Sequence, residues 1–251
     1  GEATLLLEGR RFRGGPGTLF CISSLEPHAT EVQDCRYRRG YLLLDPAFFR
    51  EAVPSPILHT LFTVRSPEIP RAVALSPEDH AFCRQVFRSI ECELAGTEAV
   101  SFGESAAGAW LQLLMIRLYR RIPEWFPLRD GRQDAERLSR ILEALDARLD
   151  DPGFRIDDLG QMVHLSRSHL SRSFRAATGY TLQQYRSRRR MALARSLLSE
   201  TSLSVSDIGF RCGYGDTSHF IRTFREACGM SPHRFRSLLA APDGQGIRDS
   251  L

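Results

Sequence analysis

No lysine occurs among the 251 residues; all 34 basic side chains are arginine. Any phosphate contact the chain makes is therefore a guanidinium contact, planar and suited to bidentate bonding rather than a point charge. No apolar run approaches the ~18 residues that would cross a bilayer, so no membrane helix is expected. The opening GEATLLLEG lacks a basic region followed by a long apolar core, so no secretory leader is read in it; it also begins without Met. The six cysteines, Cys21, Cys35, Cys83, Cys92, Cys212 and Cys228, form no C-x-x-C pair and have no His at zinc spacing. Reduced thiols in a cytoplasmic protein are the expectation. There is no H-x-H pair, no nucleophile–base pair and no metal constellation, so neither cofactor, metal nor catalysis is expected.

What is present is unevenly spread. The apolar fraction of 42% with 25% charged is ordinary for a globular chain, and the length suggests two domains. The formal net charge of +4 hides a division. Residues 1–158 carry 20 Arg against 24 acids, whereas residues 159–240 carry 13 Arg against 4, a local net charge of +9. A basic C-terminal segment of that kind fits a polyanion-binding module.

That segment repeats itself. IDDLGQMVHLSRSHLSRSFRAATGYTLQQY is answered by VSDIGFRCGYGDTSHFIRTFREACGMSPHRF. Leu159 pairs with Ile208, Gly160 with Gly209, Leu170 with Phe220, Arg172 with Arg222, Phe174 with Phe224, Arg175 with Arg225, Gly179 with Gly229 and Tyr185 with Phe235. The offset grows from 49 to 50, so the second copy holds one extra turn residue. A repeat of this length is a supersecondary unit used twice, and its pattern of short helix, turn and longer capped helix is a helix-turn-helix. Ser166 and Asp216 are placed to cap the longer helices, and Gly179 and Gly229 to close them. Leu170, Phe174 and Ala177 share one face of the first long helix, and Phe220, Phe224 and Ala227 one face of the second. The opposite faces carry hydroxyls and arginines, which can bond base edges or phosphates in a major groove. Between the copies, Leu182 to Ser199 reads as one helix of ~27 Å at ~1.5 Å per residue, with Tyr185, Met191, Ala194, Leu197 and Leu198 able to pack on both units. Its cluster Arg186, Arg188, Arg189 and Arg190 suits phosphate contact or salt bridging to the scaffold acids.

With those residues in hand, the segment from Leu138 to Leu239 resembles the DNA-binding domain of the AraC/XylS family of bacterial transcription regulators. LSRSHLSRSFRAATG, then Tyr185, Arg190, Ala194 and Leu198, then IGFRCGYGDTSHFIRTFREACGMSPHRFR carry the resemblance. It implies base-reading positions at Ser168, Ser171 and Arg172 in the first reader and Thr217, Ser218, Ile221 and Arg222 in the second. Phosphate contacts are expected from Arg167, Arg175, Arg188, Arg189 and Arg225. RNA polymerase is a partner by the same resemblance. The chain departs from the family pattern at Arg167 and Arg186, where Pro and Leu are common, and at Gly160 and Gly209, where Ala is usual. A Gly inside a helix costs ~1 kcal/mol relative to Ala, and the sequence offers no reason for either one.

The N-terminal half carries a fainter resemblance. TLLLEG, RRFRG, TLFCISS and YRRGYLLLD read as strands, and GGPGTLFCISSLEPHA resembles the late strands of the cupin-like sensor barrel that often precedes this DNA-binding domain. A small barrel needs about eight strands, so either earlier strands precede Gly1 or the barrel is incomplete. His28 is read as structural or solvent-exposed, with an effector-pocket role as the minority reading. PAFFREAV is a short helix or turn, PSPILHTLFTVRSPEIP with its four prolines a mostly extended connection, and Ser76-Pro77-Glu78-Asp79 the start of a helix to about Ala95. Ser101 to Ile122 is a broadly apolar helix through Trp110, Leu113, Leu114, Met115, Leu118 and Tyr119, buried within the domain or against a second subunit. IPEWFPLRDGRQD connects the halves, and Leu138, Ile141, Leu142, Leu145 and Leu149 mark an amphipathic scaffold helix.

The expected fold is α+β. A partial cupin-like β-barrel plus helices covers 1–126, with the strands in 1–45 and the helices in 46–126. A linker follows at 127–136, then an all-α domain of two helix-turn-helix units joined by a linker helix over 137–240, and a tail at 241–251. The expected function is effector-responsive, sequence-specific regulation of transcription, most often activation in the family, by a cytoplasmic homodimer on double-stranded DNA. The competing readings are the same DNA role controlled by a protein partner or by abundance, and a cupin-type enzyme.

Overall fold

A computed structural model describes residues 1–240 apart from 8, 27, 33–35, 65–67, 96–101, 129, 130 and 152. The expected tail 241–251, Cys35, and the expected helix start at Ser101 lie outside the described residues. Five strands are described: β1 (Ala3–Leu7), β2 (Arg10–Gly14), β3 (Thr18–Phe20), β4 (His28–Val32) and, later, β5 (Ala72–Ala74). They form two small open sheets, one ordered β2-β1-β4 and one pairing β3 with β5 antiparallel, Leu19 opposite Val73. Among the described residues no sheet closes into a barrel. YRRGYLLLD is not a strand either; its described residues are irregular, and Leu43 is 80% exposed. The second strand that pairs with β1 comes instead from HATEV, whose polar, largely exposed side chains give no alternating signal.

Helices follow: α1 (Pro46–Ala52), α2 (Pro56–Thr63), α3 (Pro77–Leu94) and α4 (Gly103–Arg121). The stretch expected to be an extended connection folds as α2. Its second proline, Pro56, occupies the first helical position, where a missing N–H loses nothing, and Leu58, Thr60 and Leu61 turn inward. In α3, Asp79, Cys83, Val86 and Ile90 recur at helical spacing on the buried side. In α4 a single stripe, Ala107, Gly108, Leu111, Leu114, Met115 and Leu118, is buried, and α1, α2 and α3 pack against this helix. A Cβ at Gly108 would stand 3.1 Å from that of Ala52, which is why α1 can approach so closely. Leu113 remains 49% exposed. The expected connection begins with a single 3-10 turn (Pro123–Trp125) whose Trp125 and following Phe126 are fully buried, Phe126 edge-on to Tyr119.

The rest is helical: α5 (Arg132–Asp146), α6 (Ile156–Met162), α7 (Arg167–Thr178), α8 (Leu182–Glu200), α9 (Val205–Arg211), α10 (Thr217–Cys228) and α11 (Pro232–Ala240). Two compact units divide the chain. One comprises Gly1–Leu5, Arg11–Ile22 and Glu31–Glu136, the other Leu6–Arg10, Ser23–Thr30 and the chain from Arg137 onward. In the second unit Leu138, Ile141, Leu142 and Leu145 give α5 the buried face that its periodicity predicts. Met191, Ala194 and Leu198 of α8 join Val205, Ile208, Cys212, Phe220, Phe224, Phe235 and Leu239 in one apolar cluster.

One ion-pair network locks the start of α3 to the end of α4. Ser76 caps α3 by accepting from Asp79 N at 3.1 Å and donates its own hydroxyl to Asp79 Oδ2 at 2.7 Å. Arg117 Nε donates to Asp79 Oδ1 at 2.7 Å, and Arg121 reaches the same oxygen at 3.3 Å. Glu78 takes the other ends of both guanidinium groups. The Ser76 hydroxyl, with Arg117 and Arg121, holds the Asp79 carboxyl below the usual carboxylate range against the opposing effect of burial. Because the folded value is the lower one, this stabilisation is present above the unfolded pKa of about 3.9 and is lost as pH falls through the folded value. Asp79→Asn is expected to lower Tm at pH 7 by roughly 2–5 °C, with the gap to wild type closing below about pH 4; thermal melts across pH 3–7 check it.

Candidate nucleic-acid interface

The two helix-turn-helix units are built alike from the turn upward. In the first, α6 ends at Met162 and α7 starts at Arg167; in the second, α9 ends at Arg211 and α10 starts at Thr217, so the extra turn residue lies in the second turn as expected. Each turn needs one residue with positive φ. Gly213 supplies it in the second copy at +76°, and His164, without a glycine's freedom, supplies it in the first at +56°. The turns close with Leu165 N donating to Gly160 O at 2.9 Å and Tyr214 N donating to Gly209 O at 3.0 Å. The two helix-interior glycines that the sequence left unexplained now have a reason. A Cβ at Gly160 would sit 2.9 Å from the Leu165 carbonyl oxygen, and one at Gly209 would sit 3.1 Å from the Phe220 ring. At Gly160 the support helix and the turn approach more closely than Ala allows, whereas at Gly209 an Ala would require the Phe220 ring to give by a few tenths of an ångström.

Capping follows the expectation. Ser166 Oγ accepts from His169 N at 3.4 Å and Asp216 Oδ2 from His219 N at 2.6 Å. Gly179 and Gly229 end α7 and α10 at φ +78° and +72°. Leu170, Phe174, Phe220 and Phe224 are buried, with Phe174 edge-on to Tyr185 and Phe224 edge-on to Phe235 at equivalent places in the two copies. This inward set leaves Ser168, Ser171, Arg172 and Arg175 of α7 exposed, together with Ser218, Arg222 and Arg225 of α10. Thr217 and Ile221 are half-buried, and Ile221 packs on the apolar cluster of the second unit. Arg167 is exposed and lies 3.4 Å from Asp157. His169 and His219 are exposed at the same place in α7 and α10.

The arginines of α8 have other occupations. Arg189 grips Asp146 with two bonds of 2.9 Å, the salt-bridging alternative of the sequence. Arg186 donates to Phe154 O at 3.0 Å and to Asp151 O. Arg190 donates to Leu149 O at 2.8 Å and Asp151 O at 3.2 Å, while its guanidinium stands 5.3 Å from the centre of the Tyr214 ring. Backbone carbonyls of the connection after α5 are thus satisfied by side chains from α8. Burial pushes both guanidinium pKa values down, and for Arg190 the neighbouring charge of Arg186 adds to the shift. Arg188 donates to Leu25 O at 3.0 Å and lies over the Tyr180 ring, and Arg195 donates to Ser24 O at 2.9 Å. The Cys212 thiol is pushed up to about 12, chiefly by burial, so it is an inert core group. His28 opens β4, half-buried, its Nδ1 3.1 Å from Glu26 O. Among the described residues no cluster of three or more His, Cys, Asp or Glu could hold a metal, and no helix is long and apolar enough to cross a membrane.

Residues 159–237 match the model of a helix-turn-helix domain family. The HTH-type transcriptional activator RhaR of Salmonella heidelberg is 32% identical over 156 residues, 62% of this chain and 54% of that protein. The chain therefore spans about half the length of the curated relatives it matches. Among solved structures, an AraC-type transcriptional regulator from Chromobacterium violaceum is 31% identical, covering 43% of this chain and 95% of that one at a TM-score of 0.40. Apo ToxT from Vibrio cholerae is 9% identical yet covers 94% of this chain and 85% of its own at a TM-score of 0.54, a likeness of fold.

The two turns give predictions of opposite sign. Gly213→Ala combines positive φ with a Cβ 2.5 Å from the Leu149 carbonyl oxygen and is expected to destabilise the second unit by about 2 kcal/mol or more. His164→Gly relieves the same conformation in the first unit and is expected to stabilise it by about 0.5–1 kcal/mol. Urea unfolding of the two variants beside wild type measures both.

Proposed function

We propose that the chain is a member of the AraC/XylS family, a reading supported by its helix-turn-helix domain at residues 159–237 and its likeness to RhaR, and that it is a sequence-specific DNA-binding transcription regulator that reads two adjacent major-groove segments. The observation that carries this reading is the pair Arg172 and Arg222. They occupy the same place in two copies of one unit, exposed on helices whose phenylalanines are buried. Each guanidinium can take guanine O6 and N7 with two parallel bonds, the commonest base-specific contact. Ser168, Ser171, Thr217 and Ser218 add hydroxyls that donate or accept, and Ile221 offers the portion of its side chain not used by the core to a thymine methyl. Arg175 and Arg225 hold phosphates and fix the register on the duplex, and Arg167 at the start of α7 is paired with Asp157. The nineteen residues of α8 give a spacer of about 28 Å, against about 34 Å between successive turns of a major groove; inclined readers make up the difference.

The rest of the proposal concerns control. The relatives named RhaR are transcriptional activators, which supports activation in contact with RNA polymerase. The two small sheets and the helices α1 to α4 form the sensing region, a reduced cupin-like sensor that answers a small-molecule effector and pairs two copies of the chain. The exposed Leu113 on α4 supports that pairing. The regulator acts on chromosomal DNA in the cytoplasm, and no catalytic role is proposed.

Arg172→Ala and Arg222→Ala are each expected to weaken binding to a selected operator duplex by about 1–3 kcal/mol while leaving binding to scrambled DNA nearly unchanged. Fluorescence anisotropy titrations on the two duplexes separate the outcomes, since equal loss on both would make these arginines phosphate contacts. Binding is also expected to weaken steeply with salt.

A further inference from the structure

Inside each helix-turn-helix unit, the second residue of the support helix touches the first residue of the reading helix. In the first copy Asp157 of α6 lies 3.4 Å from Arg167 Nη1 of α7. In the second, Ser206 Oγ of α9 lies 2.9 Å from Thr217 Oγ1 of α10. Asp157 and Ser206 are related by the early 49-residue offset, Arg167 and Thr217 by the later 50-residue one. One joint is therefore built twice with different chemistry.

The first side chain of a reading helix stands at the end that enters a groove first, so what it presents matters more than its own bond energy. A threonine hydroxyl has more than one staggered setting. Ser206 and Thr217 are both half-buried, and pairing them selects the setting in which the Thr217 hydroxyl points at Ser206. Two hydroxyls that share one proton still have a second proton and free lone pairs, so the pair can bond DNA without breaking. The first copy is of the other kind. Arg167 is 70% and Asp157 45% exposed in their side chains, and such a pair is weak and opens readily. While closed, it holds a guanidinium on a carboxylate of its own protein.

We propose that the support helices set what the first side chain of each reader offers to DNA: Ser206 is a positioning residue that fixes the Thr217 hydroxyl, and Asp157 is a restraint that withholds Arg167 from phosphate. This rests on the DNA-reading role proposed above. It also gives the departure at Arg167 a partner, since a proline there would have nothing for Asp157 to hold.

The test uses the full chain and a duplex library with a randomised core, from which wild type selects a preferred duplex. Affinities of wild type, Ser206→Ala, Thr217→Val and the double variant are then measured on the selected and a scrambled duplex, with melts alongside. Ser206→Ala is expected to weaken the selected duplex about fivefold, the worth of one neutral hydrogen bond. It should broaden base preference only at positions that also respond to Thr217→Val, leave Tm unchanged, and add nothing once Thr217 is valine. Additive losses, or an unaltered preference profile, overturn the positioning role and leave Thr217 a reader. Thr217→Val without effect overturns both, and a wild type that selects no sequence overturns the DNA reading itself. For the first copy, Asp157→Asn should tighten scrambled duplex about threefold and steepen the salt dependence by about one phosphate, and both changes should vanish in Arg167→Gln. Tightening of equal size in that background would make Asp157 a general negative charge and overturn the restraint.

Discussion

Arg190 is the contact on which the DNA-binding half depends. Its guanidinium caps the carbonyls of Leu149 and Asp151 beyond the end of α5 and lies over Tyr214 in the turn of the second helix-turn-helix unit. A half-buried guanidinium is costly unless its donors are matched, and here the matching groups belong to the scaffold on one side and to the second unit on the other. Arg186 and Arg189 tie the same helix to Phe154 and Asp146. The linker helix is thereby held by side-chain bonds along its first half and by apolar packing of Met191, Ala194 and Leu198 along its second. A spacer held this way can set a fixed distance between the two helix-turn-helix units, which an isolated helix of this length, marginal in water, could not.

The same contact explains details of the second turn. Gly213 has a positive φ, and a side chain there would strike both Leu149 O and the Arg190 guanidinium. Glycine is required for conformation and for space at once. The first turn has only the conformational demand and meets it with His164. Two copies of one unit have thus drifted apart in chemistry while keeping geometry: His against Gly in the turn, Asp–Arg against Ser–Thr at the joint, and the same phenylalanine–aromatic packing beneath each reader.

Legibility in the sequence follows from the same physics. The DNA-binding half was readable because its signals are local and doubled: caps at Ser166 and Asp216, closing glycines at 179 and 229, and a repeat that aligns core with core. The functions of the α8 arginines were less so. Phosphate contact and salt bridging are alternatives that composition cannot separate, and only placement shows Arg189 on Asp146 and Arg190 on backbone carbonyls. Gly160 and Gly209 were unexplained for a related reason, since the atoms they make room for are close in space through a turn. The N-terminal half misled more often. HATEV pairs as a strand through backbone bonds that its polar side chains do not announce, exposed YLLL does not, and Pro56 begins a helix where four prolines suggested none. Trp125 and Phe126 are core residues inside a segment whose prolines read as a connection.

The most direct test of the central claim is guanine-N7 methylation protection on a selected operator. A fixed spacer carrying two readers predicts two protected major-groove patches per chain, centred about one helical turn, some 10 base pairs, apart on one face of the duplex, with Arg172→Ala erasing one patch and Arg222→Ala the other. A single patch, or two patches lost together with either arginine, would contradict it.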